Sequence, residues 1–148
     1  MKINFLILLL LTLFSVNMAF AQKPVVFSTN GKAIHGYDPV AYFTEGKPVK
    51  GDSLLTYTYD GANWQFASQA NLNLFRADPA KYAPQYGGYC AFGTSRGYKA
   101  PTEPNAWTIE AGKLYLNYNT KVRETWDKDR AGYIEKADKQ WNEIKTTK

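Results

Sequence analysis

Sulfur and imidazole side chains are scarce in this sequence. Its 148 residues include one cysteine, Cys90, one histidine, His35, and two methionines, which stand at positions 1 and 18. A single cysteine excludes a disulfide bond within the chain, so packing has to stabilise the fold. A closed tetrahedral zinc site needs four cysteine or histidine ligands, and this chain offers two. Such a site is therefore excluded unless other subunits or carboxylates complete it.

A strong charge of one sign is also missing. The chain has 18 lysines and arginines against 13 aspartates and glutamates, a net charge of +5, and no long run of like charges. A distribution of this kind provides no basic stripe for a phosphate backbone, so nucleic acid is not an expected partner.

The N-terminal end has the composition of a secretory signal peptide. Lys2 gives a short basic start, residues 3–16 are apolar apart from three polar side chains, and Ala19-Phe20-Ala21 is a small-x-small cleavage pattern. The apolar segment is shorter than a membrane span, so cleavage is expected and stable membrane insertion is not. We therefore expect a signal peptide at 1–21, export to the periplasm or the extracellular space, and a single domain at 22–148.

Two β-hairpins are predicted from alternating apolar and polar residues around tight-turn signals. The first covers residues 53–67 and turns at Asp60-Gly61, and the second pairs residues 107–110 with residues 113–118. Residues 22–32 have no such pattern and are expected to form an extended arm with little structure. Four glycines between residues 87 and 99 indicate a structured loop around Cys90.

Helices are predicted from capping residues and from the spacing of apolar side chains. Ser68 caps a helix that ends before Asp78, and Asp78 caps a short helix that begins at Pro79. Thr120 caps a third helix. The last helix carries an apolar stripe made of Ile134, Ala137, Trp141 and Ile144. Short antiparallel hairpins packed against helices define an α+β fold class.

Three stretches share their order and spacing with a known family. They read GYDPVAYF at 36–43, YDGANWQFAS at 59–68 and FRADPAKY at 75–82. Together they resemble the YHS-domain family, which takes its name from a motif in metal-handling proteins and is related to small treble-clef metal-binding modules. The family pattern runs D-P-V-C, then Y-x-G-x-x-Y-x-F-C-S-x-x-C, then F-x-x-D-P-x-K-Y. The segment GGYCA at 87–91 and the hairpin at Trp107 extend the resemblance to exported members.

The resemblance implies a YHS-like α+β domain with an N-terminal arm and C-terminal helices, but it fails at the metal ligands. Ala41, Ala67 and Asn71 stand where metal-binding members carry cysteines. Alanine has no ligand atom, and an amide is a poor ligand for a soft metal. A metal would therefore need a different site, for which Cys90 and His35 are the obvious candidates.

Cys90 and His35 each have a functional and a structural interpretation. A thiolate at Cys90 could bind copper or react, and a neutral imidazole at His35 could join Cys90 and Asp38 around copper or zinc. Alternatively, Cys90 is a small buried side chain among aromatic residues, and His35 forms a hydrogen bond at the entrance of a loop. Asp38 before Pro39 is already explained as a turn former or a side-chain cap.

The glycine-rich loop after Cys90 is a second candidate site. Its backbone N–H groups, together with Arg96 and Lys99, could hold an anion, and Tyr89 could line a pocket beside it. The loop lacks the phosphate-binding pattern G-x-x-x-x-G-K-[ST], so an ordinary glycine-rich turn is the alternative. We assign Tyr89, Arg96 and Lys99 as candidate ligand-binding residues, and Cys90 and His35 as candidate metal ligands.

Three functional hypotheses follow from these residues. The leading one is an exported binding domain that holds a metal ion, copper above all, or a small ligand near Cys90. The second is a thiol-dependent enzyme or redox protein that uses Cys90, and the third is a structural or partner-binding domain with Cys90 in its core. Catalysis is less favoured because nothing marks a third group to orient a Cys–His pair, and no G-x-S-x-G motif is present.

We predict that exported protein begins at Gln22, because signal peptidase cleaves after a small-x-small pattern such as Ala19-Phe20-Ala21. Intact-mass measurement on protein recovered from the exported fraction checks this. Exported material that retains residues 1–21 would contradict the prediction.

Overall fold

The computed structural model describes residues 24–147, so the predicted signal peptide lies outside the described residues. The strands are β1 (Ser28–Thr29), β2 (Lys32–Ala33), β3 (Asp52–Tyr59), β4 (Ala62–Phe66), β5 (Trp107–Glu110) and β6 (Lys113–Leu116). The α-helices are α1 (Ala41–Thr44), α2 (Gln69–Ala77), α3 (Pro79–Tyr82), α4 (Ala91–Ser95), α5 (Thr120–Asp127) and α6 (Arg130–Ile144). Two 3-10 turns cover Ile34–Gly36 and Gln85–Gly88. Within residues 24–147, no helix combines the length and apolar character that crossing a membrane requires.

The strands form two small sheets, which confirms the predicted α+β class. The first sheet has the order β1-β2-β4-β3, and the second consists of the β5–β6 hairpin. Both predicted hairpins are present. The first turns where expected because Asp60 and Gly61 adopt positive φ angles of 49° and 73°, which a tight hairpin turn of this kind requires.

The main core lies between the first sheet and α2. Phe75 of α2 packs among four aromatic rings at centroid distances of 5.1 to 6.2 Å, and these rings belong to Tyr57, Tyr59, Trp64 and Phe66. Ser68 caps α2 by accepting a hydrogen bond from the Asn71 N–H, as predicted. Trp107 of the second hairpin is partly buried and packs against this core.

A second, smaller core joins α4, α5 and α6 to β6. Trp126 of α5 is fully buried and lies 5.3 Å from the Tyr115 ring, centroid to centroid. Ala137 is the fully buried member of the apolar stripe predicted along α6. The C-terminal helices therefore pack against α4, which begins directly after Cys90.

The structure differs from the sequence-based expectations at three places. Residues 91–95 of the predicted loop form α4, despite the glycine at Gly93. Asn119, rather than Thr120, caps α5, because Asn119 is the last residue with an extended backbone and its side chain accepts from the Val122 N–H. The N-terminal arm is partly ordered, since it contains β1 and buries Val26 in the main core.

We predict that Trp64→Ala lowers the free energy of unfolding by roughly 3–5 kcal/mol, because it removes a buried ring from the aromatic core. Trp64 is 1% exposed. Urea unfolding measures the change. The control is Leu54→Ala, whose side chain is 88% exposed, and which should change the stability by less than about 0.5 kcal/mol. Equal effects of the two substitutions would contradict the core assignment.

Candidate functional site

The segment before Cys90 has a backbone shape that brings the N-terminal arm against it. Tyr86 and Gly87 both adopt positive φ angles, 56° and 61°. A side chain at Gly87 would collide with the backbone of Val25, and the Phe27 N–H donates to the Gly87 carbonyl at 2.9 Å. The conformational freedom of glycine is therefore required here for close approach of the arm.

Cys90 lies at the N-terminal end of α4 and acts as its cap. Its Sγ accepts hydrogen bonds from the Gly93 N–H at 3.4 Å and from the Tyr118 N–H at 3.3 Å. The thiol donates to Asn117 Oδ1 at 3.5 Å, and the same oxygen accepts from the Phe92 N–H at 3.0 Å. The sulfur is thus held by α4 and by the segment that follows β6.

Burial raises the pKa of the Cys90 thiol, although backbone N–H groups of Gly93, Tyr118 and Phe92 act in the opposite direction. The residue is 1% exposed. Removal from water disfavours the charged form of a thiol, and here this effect exceeds the hydrogen bonds that favour the thiolate. The thiol is therefore protonated at neutral pH. Both nucleophilic attack and metal ligation would first have to remove that proton.

A pocket of about 260 Å³ adjoins the sulfur. This Cys90 pocket is lined by Cys90, Phe92, Tyr98, Ala100, Tyr118 and Val122. Tyr98 and Tyr118 are 50% and 49% exposed. These two rings therefore lie where the pocket meets solvent, and the other walls are mostly apolar.

His35, the second candidate metal ligand, does not line the Cys90 pocket. Both of its ring nitrogens lie within hydrogen-bond distance of other residues. Its Nε2 lies 2.8 Å from the Thr102 carbonyl oxygen, so that nitrogen carries a proton and donates. Nδ1 lies 3.3 Å from Thr29 Oγ1, and the ring packs edge-on against Phe27. Among residues 24–147, no group of three or more His, Cys, Asp or Glu side chains is placed to hold a metal ion. A copper site shared by Cys90 and His35 stays a prediction.

Two of the three candidate ligand-binding residues lie together. Tyr89 and Lys99 line a second pocket, of about 220 Å³, and Lys99 Nζ is 5.5 Å from the Tyr89 ring centroid. Lys99 Nζ also donates to the Lys145 and Thr147 carbonyls at the end of α6, where a cation is favourable. Arg96 lies elsewhere and stacks on the Phe92 ring at 4.8 Å. Its role in ligand binding stays a prediction.

Asp38 has a larger role than the turn expected from the sequence. Its side chain is fully buried. Oδ1 accepts from the Val40 and Ala41 N–H groups at 2.8 and 3.2 Å. Oδ2 accepts from the Ala67 N–H at 2.8 Å and from Asn71 Nδ2 at 2.7 Å. The motif D-P-V predicts the contacts to residues 40 and 41, but no local pattern indicates the contacts to residues 67 and 71.

These contacts determine whether a metal fits at the positions where YHS members carry cysteines. The side chains of Ala41 and Ala67 carry no ligand atom, and the Asn71 side chain donates its NH2 group to the Asp38 carboxylate. A metal ion needs several lone-pair donors, and a soft metal needs thiolates. The residues at this position therefore do not fit the metal centre of the cysteine-bearing members.

Comparison with known protein families gives a match over part of the chain. The family model described as the YHS domain matches residues 40–86. No curated protein and no solved structure matches the chain. The matched segment contains the three positions around Asp38 and ends four residues before Cys90, so the Cys90 pocket lies outside it. A metal-binding role is ascribed to the YHS family as a whole, and the chain carries a YHS domain over residues 40–86.

Proposed function

We propose that this protein is a small-ligand-binding domain whose binding site is the Cys90 pocket. The observation that carries the proposal is the pocket of about 260 Å³, with mostly apolar walls and two half-exposed tyrosine rings. Concave apolar sites with a few polar groups are the usual form of small-molecule sites. A cavity of about 150 Å³ accepts benzene, so this pocket has room for a compact group built on one aromatic ring.

The walls of the Cys90 pocket favour an aromatic or aliphatic ligand. Tyr98 and Tyr118 are half exposed, so a ligand that covers them removes apolar ring surface from water, at roughly 25 cal/mol for each Å² of apolar area. Phe92 and Val122 supply further apolar contact. The Cys90 sulfur, already held by Gly93 and Tyr118, is the polar element of the wall.

Copper at Cys90 is the second candidate function. It is supported by the position of Cys90, the one cysteine of the chain, in the wall of a pocket. Cu(I) is a soft ion that prefers sulfur ligands. Because burial raises the pKa of the thiol, copper would have to displace a proton that the site retains.

The proposal also includes export, based on the signal-peptide pattern at residues 1–21. A thiol-dependent enzyme is the least supported function, because a nucleophilic cysteine needs a lowered pKa or an adjacent base. The pKa of Cys90 is raised. The hydrogen-bond partners of its sulfur are two backbone N–H groups and the Asn117 amide, none of which is a base.

We predict that indole, used as a probe, binds in the Cys90 pocket and shifts the amide NMR signals of Cys90, Phe92 and Tyr98. Val122→Phe should weaken this binding by about tenfold or more, because the larger ring fills the pocket. The control Leu54→Phe adds a ring at an exposed site of β3 and should leave indole binding unchanged. Indole shifts confined to other surfaces, or equal binding by Val122→Phe, would contradict the proposal.

A competition titration against a Cu(I) chelator separates the second candidate from the first. If copper binds at the thiol, Cys90→Ser should lower the Cu(I) affinity by about two orders of magnitude or more, because serine is a poor soft-metal ligand. His35→Ala should have a smaller effect. Equal copper binding by wild type and Cys90→Ser would exclude the thiol as a ligand.

We predict that the Cys90 thiol is unreactive in the folded protein. Its side chain is 1% exposed and its pKa is raised by burial. At mildly alkaline pH, iodoacetamide, which has no aromatic ring for the Cys90 pocket to bind, should modify folded protein about 100-fold more slowly than protein unfolded in urea. Reaction as fast in the folded state as in the unfolded state would contradict this and would favour the thiol-dependent enzyme.

A further inference from the structure

A pocket of about 370 Å³ opens between the second hairpin and the C-terminal helices. Its walls are Trp107, Thr108 and Ile109 of β5, Arg123 and Asp127 of α5, and Arg130 at the start of α6. None of these residues lines the Cys90 pocket. The main core covers Trp107 and Ile109 only in part. This β5–α5 pocket is therefore a separate site that combines uncovered apolar surface with charged side chains.

Arg123 has hydrogen-bond donors that the protein does not use. Its Nη1 donates to the Asn105 and Trp107 carbonyls, both at 3.4 Å, and these bonds hold the guanidinium beside β5. Its Nε is buried and has no hydrogen-bond partner among residues 24–147, and no residue in that range accepts from Nη2. A buried donor without a partner costs stability. The guanidinium therefore favours an acceptor that the protein itself does not supply.

Asp127 brings the opposite charge into the same pocket. Its Oδ2 lies 3.8 Å from Arg123 Nε, a distance that is too long for a hydrogen bond. Its Oδ1 accepts from Arg130 Nε at 2.9 Å, and Arg130 Nη1 donates to Glu110 Oε2 at 2.7 Å. Arg130 is thus bound to two carboxylates. Within the described part of the chain, no donor forms a hydrogen bond with Asp127 Oδ2, so this oxygen is an acceptor for a ligand.

The charges in and beside the pocket balance. Arg123 and Arg130 are positive, and Asp127 and Glu110 are negative. A balanced site of this kind does not favour a ligand with a net charge, but its unused donor and acceptor match a ligand that carries one charge of each sign. The volume also lies within the range of about 300–1,000 Å³ that is usual for small-molecule sites.

We propose that the β5–α5 pocket binds a free α-amino acid with an apolar side chain. The ligand carboxylate accepts hydrogen bonds from Arg123, and its ammonium group donates to Asp127 Oδ2. Both are hydrogen bonds between charged groups, which are the strong class. The apolar side chain of the ligand covers the uncovered parts of Trp107 and Ile109. This binding site is independent of the one proposed at Cys90.

Three related probes test the proposal on the wild-type protein. They are L-phenylalanine, hydrocinnamate, which lacks the ammonium group, and phenethylamine, which lacks the carboxylate. L-phenylalanine should shift the NMR signals of the Trp107 indole N–H and of the Thr108 and Ile109 amides. Each analogue should bind about tenfold more weakly or worse, because it leaves Asp127 or Arg123 unpaired.

The same spectra distinguish this site from the Cys90 pocket. Binding there would use only the aromatic ring, so it would shift Cys90 and Phe92 equally with all three probes. Shifts confined to those residues would overturn the amino-acid site and leave the Cys90 site standing. Shifts at Trp107 that are equally strong with all three probes would also overturn it, because the charged groups would then have no role.

Two variants assign the charges. Arg123→Gln should weaken L-phenylalanine about tenfold and leave phenethylamine unchanged, whereas Asp127→Asn should weaken L-phenylalanine and leave hydrocinnamate unchanged. A purely structural role would weaken all three probes alike. The control Arg76→Gln changes an exposed arginine that donates to Asn73 on α2 and should bind all probes as wild type does. If Arg123→Gln does not fold, Asp127→Asn still decides. Unchanged L-phenylalanine binding by Asp127→Asn would overturn the proposal.

Discussion

The buried Asp38 carboxylate is the constraint on which the YHS part of the fold depends. It binds N–H groups from α1, from the residue that follows β4 and from α2. A buried charge is tolerated only when its hydrogen-bonding capacity is filled, so these segments have to meet at this one point. The aromatic cluster around Phe75 supplies apolar burial between α2 and the first sheet, while the bond from Asn71 to Asp38 holds the start of α2 at a polar contact.

The region around Cys90 is held together by hydrogen bonds between two side chains and the backbone, with no buried charge at its centre. Its sulfur and the Asn117 side chain bind mostly backbone N–H groups, so they hold the start of α4 and the segment after β6 in place. The Cys90 side chain therefore has a structural role, because it connects the start of α4 to the segment after β6. The pocket beside the sulfur takes its apolar walls from Phe92 of α4 and Val122 of α5, with the half-exposed Tyr98 and Tyr118 rings at its opening.

The sequence correctly predicted the features that depend on residues close together along the chain. The turn at Asp60-Gly61 and the cap at Ser68 depend on residues a few positions apart, and both were found where expected. The bonds from Asp38 to Asn71 and from Cys90 to Asn117 span 33 and 27 residues, and no local periodicity encodes them. The sequence therefore identified Cys90 and His35 as candidates from their side-chain chemistry alone. The burial of Cys90, the hydrogen-bond partners of its sulfur and the separate position of His35 depend on long-range contacts, which only the structure shows.

The contacts of Tyr89 and Lys99 bring the two ends of the described chain close together. The Tyr89 hydroxyl donates to the carbonyl of Pro24, the first described residue, and Lys99 Nζ donates to the carbonyl of Thr147, the last described residue. Because the Lys99 ammonium lies 5.5 Å from the Tyr89 ring, the chain enters and leaves the domain on the same side. Neighbouring ends of this kind permit insertion into a loop of a host protein, or circular permutation through a short linker, without stretching the fold.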